Sequence, residues 1–283
     1  GRNTWAWFDR ERYQRESDDV DIERALHKAL ANQELFLVFQ PQMDLITHKV
    51  VGVEVLLRWQ HPDRGVVPPL TFIPIAERSG LIIPIGEWVI AESCRQLAEW
   101  DSKGLHVPVI AINVSAKQIP APDFAKRVVA HLTRHQLRAD RMELELTESV
   151  LMNIDNVQNT VEIIRSHGIH LAIDDFGTGF SSLTYLRELP IQRLKIDRSF
   201  LQQVPGHRGD ESIIRAVIGL AHNLDIDVIA EGVETEAQRD FLLQNHCYSV
   251  QGYYFAKPMK APDFETFMRH TLSATEKTSG DSL

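Results

Sequence analysis

The stretch His170-Leu171-Ala172-Ile173-Asp174-Asp175-Phe176-Gly177-Thr178-Gly179 decides the fold. It opens as an apolar run too short for a helix and closes on two adjacent carboxylates and a glycine-rich turn. That is the pattern of a buried strand delivering acidic side chains to its C-terminal end. Runs of this kind recur on both sides: Leu35–Gln40, Val50–Arg58, Val107–Val114 and Met142–Leu146 before it, then Arg193–Asp197, Asp227–Glu231 and Ser249–Phe255 after it. With His170–Asp174 itself they number eight. The intervening stretches carry helical spacing, as in Ile213, Val217, Leu220, Ala221 and Leu224, and Thr235 with Gln238 forms a capping-box start. Strands alternating with helices in this way predict an α/β chain folded as a single closed (β/α)8-type barrel rather than two separate sheets.

Composition agrees with a folded globular protein: of 283 residues, 43% are hydrophobic and 24% charged, enough for a sizeable core and unlike a disordered chain. Ile22, Leu26, Ala29 and Leu30 form one helical stripe, which places the start of the barrel near Asp21. Residues 1–20, with Trp5, Trp7 and Phe8 ahead of a charged run, read as a linker from a preceding domain or, alternatively, as a polar helix of this one. Residues 21–272 form the barrel. Residues 273–283 carry little apolar surface and read as a flexible tail. A start at Gly-Arg-Asn rather than Met suits a fragment of a longer chain.

A formal charge of -9 argues against a general binder of duplex DNA or of anionic membrane, so an anionic substrate would need local help, most simply from metal ions. Cys94 and Cys247 form no CxxC motif, which predicts neither a disulfide framework nor a zinc site and suits reduced thiols in a cytoplasmic setting. The most apolar stretch, Leu81 to Ala91, is broken by Pro84, Gly86 and Glu87 and is far shorter than the roughly 20 residues that span a bilayer. No membrane contact is expected of this fragment.

Function is written where polar residues interrupt the strands. Glu54, Asn113, Glu145, Asp174, Asp175 and Glu231 each lie within or at the end of an apolar run. A lone Asp at a strand end is commonly a turn or helix cap. Carboxylates recurring on separate strands are costly to bury unless something positive lies among them. In a barrel the C-terminal strand ends converge on one mouth, and an all-oxygen set there suits hard cations, Mg2+ or Mn2+, rather than zinc. Lys195 is a charge inside another strand; it reads either as a snorkelling edge residue or as a cation that orients a nucleophile. Gly177-Thr178-Gly179 matches neither a dinucleotide fingerprint nor a P-loop and reads as a mobile loop.

Taken together, Phe39-Gln40-Pro41-Gln42, Glu54-Val55-Leu56-Leu57-Arg58-Trp59, Asn113-Val114-Ser115, Glu145-Leu146-Thr147-Glu148-Ser149, Asp174 through Leu183, Lys195-Ile196-Asp197, Glu231-Gly232-Val233-Glu234-Thr235 and Gln251-Gly252-Tyr253 strongly resemble the EAL-domain cyclic di-GMP phosphodiesterases of bacteria, in the family's order over residues 25–270. The resemblance implies a modified TIM (β/α)8 barrel with one antiparallel strand, hydrolysing cyclic di-GMP to linear pGpG with two Mg2+ or Mn2+ ions. It implies Glu54, Asn113, Glu145, Asp174, Asp175 and Glu231 as metal ligands, with Lys195, Glu231 and Glu54 catalytic. It also implies Gln40 near a guanine and Arg58 at a phosphate, Glu148 holding the loop after Asp175, and Asp197, Glu234 and Gln251 supporting the site. Val55 stands where the family's name-giving motif has Ala, an exchange expected to affect packing more than coordination.

The resemblance further implies a homodimer coupled through the Phe176–Leu183 loop. Asn3-Thr4-Trp5 and Trp7-Phe8-Asp9 resemble the join after a GGDEF domain, so upstream GGDEF or sensor domains are expected in the full-length protein. A receptor that binds cyclic di-GMP without cutting it, and a barrel hydrolase for another phosphodiester, are the competing readings. Ca2+, which accepts loose coordination at longer distances than Mg2+, is expected to bind the same oxygens and inhibit.

Overall fold

A computed structural model describes residues 10–151, 154–177, 186 and 189–280, without the side chains of residues 10–17, 149, 151, 154–156 and 273–280. The chain forms two compact units, one of the described residues before Leu37 with Leu57–Ile85, the other of Leu37–Leu56 with the described residues from Gly86 on.

The second unit holds the barrel. Its strands come from β1 (Leu35–Asp44), β2 (Val50–His61), β4 (Ile110–Val114), β5 (Met142–Thr147), β6 (His170–Phe176), β7 (Arg193–Ile196), β8 (Asp227–Glu231) and β9 (Ser249–Gln251). The order β1-β9-β8-β7-β6-β5-β4-β2 is closed by pairing of β1 with β2. Neighbours from β2 round to β9 are parallel, whereas β1 meets β9 antiparallel, with Met43 opposite Val250. The cause is the short connection from β1 to β2: parallel strands need a crossover of about a dozen residues, and the chain supplies a hairpin.

Alternation sorts each strand's side chains. In β4, Ile110 and Ile112 face the helical layer while Ala111 and Asn113 face the barrel axis; in β5, Leu144 and Leu146 alternate with Glu143 and Glu145. Outside the barrel run α3 (Ile82–Ser102), α4 (Phe124–Arg134), α5 (Glu148–Leu151), α6 (Ile154–Ser166) and the helices Arg208–Asn223, Glu236–Gln244 and Ala261–Gly280. Phe39 of β1 packs edge-on to Trp100 of α3 at 4.9 Å, and Trp100 meets Phe264 of the last helix at 4.8 Å. The helix Glu236–Gln244 begins in the expected capping box, Thr235 accepting from the Gln238 amide.

The other unit contains α1 (Arg10–Ala29), α2 (Pro69–Ser79), β3 (Gly65–Val67) and the outer end of β2, where Trp59 pairs with Val67. Trp59 donates its indole N–H to Glu34 at 3.0 Å and packs on Phe72. Sequence reading missed β3, whose three residues are too few to show a period.

Several strand limits differ from expectation, and two helices run across expected domain limits without deciding where those limits lie. The helix α1 crosses the junction between residues 20 and 21, continuous from Arg10 into the apolar stripe. At the other end the backbone is helical to Gly280, well past Leu272, because Ala274, Glu276 and Lys277 favour helix even without apolar surface. Finally, β9 stops at Gln251 instead of Phe255. A Cβ at Gly252 would overlap the backbone of Val233, so the chain leaves the sheet there through a close approach that only glycine permits.

Among the described residues no helix is long and apolar enough to cross a membrane. Cys94 and Cys247 are free and buried, and burial raises each thiol to about 12, as expected of inert structural cysteines.

Candidate active site

Each parallel strand brings at least one polar side chain to the C-terminal mouth. Glu54 comes from β2, Asn113 from β4, Glu145 from β5, Asp174 and Asp175 from β6, Lys195 from β7, Glu231 from β8 and Gln251 from β9. The antiparallel β1 contributes Gln40. Register sets their heights: Asn113 lies opposite Glu145, and Glu231 opposite Gln251.

Lys195 is the centre of this layer. Its side chain is 0% exposed, and Nζ stands 2.6 Å from Glu231 Oε1, 2.8 Å from Glu145 Oε2, 3.2 Å from Asp174 Oδ1 and 3.7 Å from Glu54 Oε1. Burial works against the ammonium, but the attraction of Glu145, Glu231, Glu54 and Asp174 outweighs it and holds the pKa well above the usual lysine value. Lys195 is therefore a fixed cation and no snorkelling edge residue. The carboxylates feel the opposite balance. Burial pushes Glu145 well above the usual range and Glu231 to about 8, with the Lys195 charge opposing and their mutual repulsion adding to the rise.

The remaining groups fasten onto this core. Asn113 donates to Glu54 Oε1 at 2.7 Å, and Gln251 donates to the other Glu54 oxygen and, at 3.0 Å, to Gln40. Gln40 in turn donates to the Ala256 carbonyl at 3.1 Å. Asp175 is exposed at the mouth, with its amide on Asp174 Oδ1 at 2.9 Å. Although the residue is exposed, its carboxyl is partly desolvated, and it is raised to about 6 by that desolvation, by the Asp174 and Asp197 charges, and by a hydrogen bond to Asp197. Asp197 also caps the 3₁₀ turn Arg198–Phe200.

Three further expected residues have surroundings of their own. Glu234 is exposed and lines a cavity of about 330 Å3 with Arg198, Gln202, Gly232 and Gln238. Glu148 is buried, and its carboxyl oxygens have no hydrogen-bond partner among the described residues. The loop it is expected to hold, Thr178 onward, lies outside them. Arg58 belongs to the other compact unit and donates to the Leu57 carbonyl at 2.9 Å. Val55, the one departure from the family's pattern, is buried in β2.

The oxygen set fits a hard divalent cation in chemistry: its donors are carboxylates and one carboxamide, and Glu145 Oε1 is buried without a hydrogen-bond partner among the described residues. The side chains do not form a ready-made cage. Among the described residues no three acidic, His or Cys groups are arranged to hold a metal ion, because four of the carboxylates are drawn onto the Lys195 ammonium.

Sequence reading missed two inward charges, Glu143 and Arg193, which pair at 3.0 Å below this layer. Their signal was present, each lying two residues before an interior charge on its strand, but both sit near strand starts where polar residues are ordinary.

Comparison with known proteins places this arrangement. The sequence model of the EAL domain matches residues 23–258. The cyclic di-GMP phosphodiesterase NbdA of Pseudomonas aeruginosa is 40% identical over 270 residues, 95% of this chain and 34% of that protein. The oxygen sensor protein DosP of Escherichia coli is 37% identical over 273 residues, 96% of this chain and 34% of that protein. This chain thus spans about a third of the length of such relatives. Among solved structures, the MucR phosphodiesterase in complex with c-di-GMP superposes with a TM-score of 0.83 at 40% identity, covering 86% of this chain and 99% of that one. The FimX EAL domain of Pseudomonas aeruginosa bound to c-di-GMP gives 0.77 at 26% identity, covering 84% and 96%.

Proposed function

Because the chain belongs to the EAL domain family, we propose that it is a phosphodiesterase that hydrolyses cyclic di-GMP to linear pGpG with two divalent cations, Mg2+ or Mn2+. The observation that carries this reading is the buried Lys195 ammonium encircled by Glu54, Glu145, Asp174 and Glu231. A buried cluster of this kind is a poor stabiliser and a good catalytic device.

Glu54, Asn113, Glu145, Asp174, Asp175 and Glu231 would hold the cations. When bound, these would acidify a water and neutralise the phosphate. The chain's own residues supply the rest. Lys195 acts as a donor: its N–H groups, now directed at carboxylates, orient an attacking oxygen and stabilise negative charge developing on the phosphoryl oxygens. Glu231 ligates a cation or accepts a proton in this reading. Gln251 and Asn113 lock both oxygens of Glu54, so that its carboxylate keeps one orientation. Gln40 and Arg58 are the proposed contacts to guanine and phosphate. Upstream GGDEF or sensor domains and a homodimer belong to the same proposal, as does a cytoplasmic location.

The reading is tested by Lys195→Ala. Turnover should fall by two or more orders of magnitude while cyclic di-GMP still binds, because the amine is needed by the transition state more than by the ground state. A fully active variant would show that the lysine is structural.

A further inference from the structure

Below the reactive layer the barrel interior is again polar. Strand alternation puts Glu143 two residues beneath Glu145 on β5, Ala172 beneath Asp174 on β6 and Arg193 beneath Lys195 on β7. Glu143 Oε1 reaches Arg193 Nη1 at 3.0 Å, with β6 lying between their strands. Ala172 leaves the room for this by offering only a methyl group. Both charges are withdrawn from solvent, Glu143 with 1% and Arg193 with 13% of its side chain exposed.

Stability does not explain the pair. Barrel layers are ordinarily filled by branched apolar residues, and a buried ion pair can often be replaced by apolar groups without loss. The arrangement has a different consequence: like charges are stacked on each strand, acidic on β5 and basic on β7. Glu143 is therefore a second acceptor on the face that carries Lys195. Two residues along a strand are only about 7 Å, within the swing of a four-carbon lysine stem. Arg193 occupies that acceptor and repels an approaching ammonium.

We propose that Arg193 is a positioning residue: by holding Glu143 it keeps the Lys195 amine in the upper layer, against Glu145, Asp174 and Glu231. Its importance for turnover rests on the phosphodiesterase reading; the side-chain rearrangement does not.

The test is Arg193→Met beside the pair Glu143→Gln/Arg193→Met. In a crystal structure of the single variant, Lys195 Nζ should lie on Glu143. Its kcat should fall at least tenfold with KM little changed, and Mn2+ should bind several-fold more tightly by titration calorimetry, because the upper carboxylates lose their competing cation. The double variant removes the second acceptor, so Lys195 should return to Glu145 and most of the lost turnover should recover. If the single variant does not fold, Arg193→Gln, whose neutral amide neither repels an ammonium nor competes with one for Glu143, carries the same comparison. The proposal is overturned if Lys195 stays on Glu145 and Glu231 in the single variant, or if the double variant is as impaired as the single one. Wild-type protein that fails to cut cyclic di-GMP would remove the phosphodiesterase reading, and the crystal structures would still decide where Lys195 goes.

Discussion

Asp175 sits in the left-handed backbone region at φ 55°, rare for a residue other than glycine and frequent where a site imposes its own geometry. Its carboxyl, raised from 3.8 to about 6, holds its proton more tightly in the folded protein than in the unfolded chain. Its contribution to stability is complete below about pH 4 and is lost as pH rises through about 6. In metal-free protein, Asp175→Asn should therefore flatten the fall in Tm between pH 5 and 7. A cation held by Asp175 must displace that proton, so Mn2+ should bind more tightly at pH 7 than at pH 5. Equal affinity at the two pH values in titration calorimetry would remove Asp175 from the ligand set. Residues of this kind stand out in the sequence because acids recur at the ends of apolar runs on several strands, where a lone one would read as a turn or helix cap. Glu143 and Arg193 do not, because a strand's first residues are often polar and their pairing exists only across the closed barrel.

Among the elements, the strands that are parallel and buried on both sides read as continuous apolar runs, which is why β5, β7 and β8 emerged within a residue of their observed limits. The exceptions have local causes. The end of β9 is set by the contact between Gly252 and Val233, invisible until two distant loops are brought together. The antiparallel course of β1 follows from the brevity of its hairpin, a feature that the resemblance supplied and the spacing alone did not. Gly252→Ala should thus cost about 1–3 kcal/mol of stability through overpacking, and at roughly 2–4 °C of Tm per kcal/mol the loss is easily read by calorimetry. Turnover should fall with it, because Gln251 next door holds Glu54. An unchanged Tm would show that the two loops can separate without cost.

For the molecule as a whole, closure of the sheet gathers onto one mouth a cluster that no single element could assemble. The homodimer we propose would couple that mouth to its neighbour through the Phe176–Leu183 loop. Turnover per chain should then drop on dilution below the dimer's dissociation constant, and a monomer equally active at every concentration would rule the coupling out. The central claim, that this mouth cuts cyclic di-GMP with the help of hard divalent cations, is tested most directly by incubating the protein with cyclic di-GMP and separating the products by chromatography, in Mg2+, in Ca2+ and in excess chelator. The account predicts pGpG in Mg2+, almost none in Ca2+, whose looser coordination misplaces the attacking water, and none with chelator. Intact cyclic di-GMP in Mg2+, or hydrolysis undiminished by chelator, would contradict it.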